Sequence, residues 1–227
     1  MRKWEKLPCE MQTEEVRRYY DILKKKKLAR FFKRAFDICV SFLMLIILLP
    51  LFLILALIIK IDSRGPVFFR QERVTRYNKH FRIFKFRTMV VNAEKLGAQV
   101  TSKGDARVTK VGKFLRKSRL DELPQLLDIF RGTMSFVGTR PEVPKYVEGY
   151  TPEMYATLLM PAGVTSLASI NYKDEAELMS SAEDADLVYI NEVLPGKMEY
   201  NLKSLEKFGF WRDIGIMFKT VGAVLKR

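Results

Sequence analysis

Residues 38–59 are apolar, interrupted only by Ser41 and Pro50. The stretch has neither a two-residue alternation nor a polar stripe, so it reads as a helix that is apolar on all sides. At 1.5 Å per residue such a helix reaches about 33 Å, close to the hydrocarbon core of a bilayer. Pro50 sits at the middle of the run, where a missing N–H and a clash with the preceding turn predict a bend. Before the run, Thr13 can cap a helix through Tyr19, Tyr20 and Leu23, which reads as a solvated or membrane-surface helix. After it, Arg64-Gly65-Pro66 forms a turn and Val67-Phe68-Phe69 begins a strand. Residues 81–89 form a second strand, with Tyr77-Asn78-Lys79 turning between the two. The alternation slips between Ile83 and Phe84, which predicts a bulge.

Residues 90–100 read as a helix, and residues 101–108 as a polar loop. Leu123, Leu126, Leu127 and Phe130 follow the i, i+3, i+4, i+7 spacing of one helical face. Pro124 is tolerated only in a first turn, so this helix starts near Asp121, and Gly132 ends it. A short helix over 152–159, a short strand over 164–170 and an acidic exposed helix over 174–186 complete the middle of the chain. Trp211, Ile214, Phe218, Val221 and Leu225 mark one face of a terminal helix, read as facing the core. The pattern as a whole is mainly α with a small β-hairpin, an α+β fold. It divides into a basic N-terminal helical segment (1–32), a membrane helix (33–62) and one further domain (63–227).

Charge changes this picture. The 227 residues hold 40 Lys and Arg against 26 Asp and Glu, a net charge of +14. The balance calls for an anionic partner: phospholipid headgroups, phosphorylated substrates or nucleic acid. A nucleic-acid binder would leave the membrane run without a purpose, so nucleic acid is not expected. Lys24 to Lys27, Arg30, Lys33 and Arg34 precede the run, and Lys60 and Arg64 follow it. Positive charge marks the cytoplasmic side. With both flanks marked, two topologies stand: a kinked crossing, or a bent helix that enters and leaves by one face. Cys9 and Cys39 form no disulfide framework, which fits a reducing compartment.

The candidate chemistry centres on Asp121-Glu122. Neighbouring helical side chains diverge by roughly 100°, so the two carboxylates cannot flank a sugar as a glycosidase pair does. They can divide tasks, one attacking and the other holding a metal. They can equally be ordinary acidic residues in a first helical turn, where the dipole favours them. Arg116, Lys117 and Arg119 precede the pair and Arg140 follows, enough positive charge to neutralise a phosphate. His80 is the only histidine, which argues against His-based metal clusters and a Ser–His–Asp triad. Neither GxxxxGK[ST] nor GxGxxG occurs, so any nucleotide is held by arginines and scattered backbone groups.

Arg119-Leu120-Asp121-Glu122-Leu123-Pro124-Gln125 resembles the central signature of the bacterial sugar transferases, the monotopic phosphoglycosyl transferases. The likeness extends to Lys33-Arg34-Ala35-Phe36-Asp37, Gly65-Pro66-Val67-Phe68-Phe69-Arg70-Gln71-Glu72-Arg73 and Phe84-Lys85-Phe86-Arg87-Thr88-Met89. Asp105-Ala106-Arg107-Val108-Thr109, Met134-Ser135-Phe136-Val137-Gly138 and Arg140-Pro141 follow in the expected order. The match is dense from Lys33 to Pro144 and thinner through Gly163-Val164-Thr165 to the end. Departures include Leu49-Pro50 where many relatives have Ser-Pro, and Gly138-Thr139-Arg140-Pro141 where Gly-Pro-Arg-Pro is usual.

The resemblance implies transfer of a sugar-1-phosphate from a UDP-sugar to polyprenol (undecaprenyl) phosphate, with release of UMP. That step begins surface glycan assembly. It implies Asp121 as nucleophile in a covalent phosphosugar intermediate and Glu122 as ligand of a Mg²⁺ cofactor. Arg116 and Arg140 match family arginines near the bound phosphate. Lys85, Arg87 and Arg107 are further candidates for phosphate or donor binding. It also implies a monotopic fold, with a re-entrant helix bent at Pro50 and surface amphipathic helices, at the cytoplasmic face of the bacterial inner membrane among phospholipids. The segment 63–227 is then a cytoplasmic catalytic domain and the chain a minimal catalytic unit. A homo-oligomer is left open, and the rival reading is a non-catalytic, basic, membrane-anchored adaptor.

Overall fold

The computed structural model describes residues 1–93, 105–172 and 185–225. In chain order it contains α1 (Glu14–Lys25), α2 (Lys27–Ile47), α3 (Leu49–Asp62), β1 (Phe68–Thr75) and β2 (Lys79–Phe86). These are followed by α4 (Lys110–Lys117), α5 (Gln125–Arg131), β3 (Met134–Val137), α6 (Pro144–Val147), β4 (Ala162–Thr165) and α7 (Leu167–Asn171). The described elements end with α8 (Ala185–Val188), α9 (Leu194–Glu206) and α10 (Phe210–Leu225). The fold is α+β and mainly helical, as the pattern predicts. Its strands form one antiparallel pair, β1–β2, and one parallel pair, β3–β4.

The apolar run is a bent pair. α2 and α3 meet at 61°, and among the described residues no single helix is long and apolar enough to cross a membrane. The break falls at Leu48, two residues before Pro50. Pro50 therefore occupies the first turn of α3, where its missing N–H leaves no bond unmade, while its ring obstructs the turn before it. Ile46, Ile47, Leu49, Leu53, Leu57 and Ile61 remain exposed around the bend.

Both ends of the bent pair are tied to the same domain. At the start of α2, Arg34 donates to the carbonyls of Ile129 and Phe130 at 2.7 and 2.8 Å, closing the C-terminal end of α5. Lys33 donates to Val137 O at 2.8 Å and pairs with Asp213 of α10 at 2.5 Å. At the end of α3, Arg87 donates to Ile59 O, Ser63 O and Arg64 O at 3.3, 2.6 and 3.0 Å.

Three expectations change. α1 is not a free helix: Val16, Tyr19, Tyr20 and Leu23 are buried with Leu159, Leu194 and Met198, while Glu14, Glu15, Arg18, Lys24 and Lys25 stay exposed on its other side. Tyr19 Oη also donates to Glu153 at 2.6 Å. Thr13 does cap the helix, accepting from Val16 N. Second, β1–β2 carries no bulge, because its register runs unbroken from Phe68↔Phe86 to Thr75↔Lys79. The slipped alternation reflects two covered faces: Ile83 packs with Leu126 and Ile129, and Phe86 with Leu55, Ile59 and Leu115. Third, the face of α10 read as core is the outer one. Trp211, Phe218 and Val221 are exposed, while Ile216 and the ion-paired Asp213 point inward. An apolar pattern alone does not distinguish a core face from a membrane-facing one.

Smaller differences concern boundaries. The short helix read over 152–159 is a 3₁₀ helix, Glu153–Leu159. The strand read over 164–170 is β4 followed at once by α7, which Ser166 caps by accepting from Ser169 N. Residues 90–93 are extended and turning, while most of the helix read over 90–100 and residues 174–184 of the acidic helix read over 174–186 lie outside the described residues; Ala185 and Asp186 open α8.

Candidate active site

Asp121 and Glu122 do not open the α-helix. They occupy a 3₁₀ turn, Leu120–Glu122, between α4 and α5. Pro124 stands just before α5, since a proline without an N–H suits a helix start but no later turn. The turn is entered through Arg119, whose φ of 58° and ψ of 13° are left-handed. A non-glycine residue in that region is uncommon and costs of order 1 kcal/mol, so the surrounding packing must enforce it. The reversal at Arg119 aims the two carboxylates inward, leaving Asp121 8% exposed.

The two acids have opposite environments. Glu122 Oε1 accepts from Arg140 Nη2 at 2.6 Å and from Lys85 Nζ at 3.2 Å, with Arg119 Nη1 at 4.0 Å. Burial alone would raise its pKa, but Arg140, Lys85 and Arg119 together hold it well below the usual carboxylate range. Asp121 is shifted upward, first by burial and then by the Glu122 charge, against the pull of Lys85, Arg116 and Arg119. Its Oδ1 is buried and has no hydrogen-bond partner among the described residues. An unsatisfied buried carboxylate oxygen is costly, and such atoms concentrate where chemistry needs a reactive lone pair.

Each partner is placed by an identifiable element. Lys85 shares a face of β2 with Ile83, which is why it reaches Glu122. Arg116, in the last turn of α4, donates through Nε to Thr88 Oγ1 at 2.8 Å and sits close enough to Asp121 to interact with its charge. Arg140 rides on the loop after β3. That loop is fixed by Gly138 N donating to Thr165 O at 3.0 Å and Gly163 N donating to Thr139 O at 2.8 Å. A Cβ at Gly163 would collide with the Gly138 backbone, so the loop and β4 can approach this closely only with glycine there. Arg73 supports the loop from beneath, donating to Pro141 O at 3.1 Å.

The sequence-derived candidates therefore divide. Asp121, Glu122, Lys85, Arg116 and Arg140 converge. Arg87 does not join them: its guanidinium closes the end of α3, so its position after Phe86 reflects a helix-end contact. Arg107 forks onto Asp105, at 2.9 Å to Oδ1 and 2.6 Å to Oδ2, and this pairing pushes the Asp105 carboxyl down to about 2. Pro50 lies at the helix bend, as expected. Sequence reasoning missed two participants. Thr88 anchors Arg116 from a distant strand end. Gln125, 2% exposed, has a buried Nε2 with no partner among the described residues. Both lie inside quoted motifs, but neither residue type announces a role.

A cavity of about 460 Å³ opens beside this cluster. Arg119, Glu122, Gln125 and Arg140 line part of it, and residues from α2, β4, α7 and α10 close it. As for Mg²⁺, among the described residues no three His, Cys, Asp or Glu side chains converge into a cage. The ion commonly binds one or two carboxylates and takes its remaining ligands from substrate phosphates and water. Glu122 could take that part through Oε2, whose contact with Arg140 Nη1 is the longer one at 3.4 Å, with Arg140, Lys85 and Arg119 turning to the phosphates that arrive with the ion.

The motifs and this arrangement agree with a single class. The profile of the bacterial sugar transferase family matches residues 28–227, and the chain belongs to that family. It is 39% identical over 199 residues to a UDP-N-acetylgalactosamine-undecaprenyl-phosphate N-acetylgalactosaminephosphotransferase of Aeromonas hydrophila, covering 86% of this chain and 44% of the relative. UDP-glucose:undecaprenyl-phosphate glucose-1-phosphate transferases of Klebsiella pneumoniae and Caulobacter vibrioides are 38% and 35% identical. Those matches cover 84% and 85% of this chain, and 39% and 69% of the respective relatives. The chain thus spans less than half the length of the first two relatives.

Proposed function

We propose that this protein transfers a sugar-1-phosphate from a UDP-sugar to undecaprenyl or another polyprenol phosphate, through a covalent phosphosugar on Asp121. The observation that carries this reading is the division of the two acids. Glu122 is locked by Arg140 and Lys85, while Asp121 Oδ1 is left without a donor. In the first step, an Asp121 oxygen forms a bond to the sugar-bearing phosphorus as the bond to the bridging oxygen breaks, and UMP leaves with that electron pair. In the second, a phosphate oxygen of the acceptor attacks the same phosphorus and Asp121 departs as carboxylate. Dividing the transfer in two lets one anion serve both halves.

Phosphoryl transfer depends on positioning and on neutralising the phosphoryl oxygens. Arg116 and Arg140 can do both, since a planar guanidinium can grip two oxygens at once. Lys85 contributes a point charge from the strand. Glu122 would hold Mg²⁺, which supplies charge neutralisation at the diphosphate. The acceptor phosphate lies at headgroup level, so the site must stand at the membrane surface. The bent helix pair supports that placement. With both its ends anchored on one domain, both basic flanks belong on one side, the cytoplasmic one by their charge. The exposed Trp211, Phe218 and Val221 face of α10 would rest in the same interface.

The test is to incubate purified protein with UDP-sugars and Mg²⁺, omitting the acceptor. UMP release of at most one equivalent, with a phosphosugar on the peptide containing Asp121, is the expected result. UMP release that depends strictly on acceptor, with no adduct, would replace the covalent route by direct transfer. A membrane adaptor would release none under any condition.

A further inference from the structure

The cavity beside Glu122 changes character along α5. Glu122, Arg119 and Arg140 meet at one end, within 4.0 Å of each other through the Glu122 carboxylate. Leu126 and Ile129 line it further along α5. The walls opposite carry the apolar Met44 of the membrane helix α2, Phe136, Val164, Ile170 and Ala223 of α10, beside the polar Thr165, Ser169, Tyr172, Lys197 and Thr220. Met44 packs on the α5 core, while Leu43, Ile46 and Ile47 beside it are exposed on the membrane-facing side. A ligand that fills this space therefore needs an anionic, hydrogen-bond-accepting head and an apolar body continuous with the bilayer.

A second observation points the same way. Gln125, one helical turn from Glu122, lines the cavity, is 98% buried, and has an Nε2 with no acceptor among the described residues. A buried amide donor left unpaired is costly, so its natural partner is an oxygen brought by a ligand. A donor nucleotide sugar would find partners in Thr165, Ser169 and Thr220 but offers nothing to the apolar side of the slot, Leu126, Ile129, Met44 and Ala223. The lipid phosphate matches both ends.

Resting on the transfer reaction proposed above, we infer that this cavity is the acceptor's binding site. The phosphate of the polyprenol lies among Arg119, Arg140 and Gln125 Nε2, and its first isoprene units lie along Leu126, Ile129, Met44 and Ala223. Bound there, the acceptor phosphate approaches the Asp121–Glu122 turn from the membrane side, leaving the Arg116 side for the donor. The cavity is then a lipid slot between α2, α5 and α10, and its occupant enters laterally from the bilayer.

The experiment separates the two half-reactions. Ala223→Trp fills the slot from a position outside the charged cluster. It should raise the apparent KM for polyprenol phosphate about tenfold or more, equivalent to about 1.4 kcal/mol. UMP release and adduct formation from donor alone should stay within about twofold of wild type, a difference below 0.5 kcal/mol. Gln125→Met, which keeps side-chain length and removes the amide, should also raise the acceptor KM. A polyprenol phosphate carrying a diazirine on its first isoprene unit, added in detergent micelles without donor, should label peptides of α5 and α10. Ala223→Trp should suppress that labelling. An unchanged acceptor KM with undiminished labelling would overturn the assignment. So would an equal loss of donor-only adduct in Ala223→Trp, which would give the slot to the donor. Absence of any adduct in wild type would refute the covalent route instead, and the photolabelling would still decide the lipid site.

Discussion

Arg140 Nη2 donates to Glu122 Oε1 at 2.6 Å, joining the loop after β3 to the turn that carries both acids. The contact fixes the turn and holds the guanidinium against Glu122, the residue next to Asp121. Arg140→Lys keeps the charge but loses the planar fork. Hydrogen bonds to charged groups contribute about 1.5–3 kcal/mol, so turnover should fall roughly 10- to 100-fold. Donor-dependent UMP release measures this, and circular dichroism should report an unchanged fold. Wild-type turnover would remove Arg140 from the site.

Arg87 should behave differently. It ties the end of α3 to the β-hairpin and makes no contact with either acid. Arg87→Gln should lower thermal stability in a membrane mimetic by about 2 kcal/mol, because several helix-end carbonyls lose their donor. The KM for the UDP-sugar in properly folded protein should stay near wild type. A large rise in donor KM without loss of stability would return Arg87 to phosphate binding.

Topology has its own test. Cysteines placed singly at Lys26 and Arg64, both exposed, in a chain without Cys9 and Cys39, should resist an impermeant thiol reagent in intact cells. Both should react once the cells are opened. Labelling of just one of the two from outside would mean that the bent pair crosses the membrane.

Much of this fold was legible in the sequence because each reading rested on a local rule. Thr13 capping α1, the turn at Tyr77-Asn78 and the bend near Pro50 are decided within a few residues. What eluded the sequence depends on distant neighbours. The helical pattern of α1 gave no sign that Tyr19 would meet Glu153, and the apolar stripe of α10 did not reveal which side faced outward. The site follows the same division. Asp121-Glu122 and the flanking arginines stood out by type and by family likeness. That Arg87 closes a helix, that Thr88 holds Arg116, and that Gln125 Nε2 is unpaired are consequences of packing.

The opposed environments of the acids predict a pH effect. Burial raises the Asp121 pKa, so its attacking anion is lost on acidification at a higher pH than for an ordinary aspartate. The acid limb of donor-only UMP release should therefore lie above that of an ordinary aspartate. Glu122→Gln removes a negative neighbour and frees Lys85 and Arg119 to act on Asp121. Both changes stabilise the Asp121 anion, so any residual acid limb should move to lower pH. For stability the sign is opposite at Glu122. Its depressed pKa contributes stability that is present above the unfolded carboxylate pKa and is lost as pH falls through the folded value. An acid limb unmoved by Glu122→Gln would mean that another group controls the first step.

The central claim is that Asp121 attacks phosphorus, and Asp121→Asn tests it most directly. The amide has nearly the same size, so the turn and its packing should survive, with thermal stability at or slightly above wild type because a buried charge is gone. The attacking anion would be absent. Incubated with UDP-sugar and Mg²⁺, the wild type should carry a phosphosugar on the peptide containing Asp121, detected by mass spectrometry. Asp121→Asn should carry none and should release no UMP with or without polyprenol phosphate. A folded Asp121→Asn protein with full turnover, or a wild-type adduct mapped to another residue, would contradict the account.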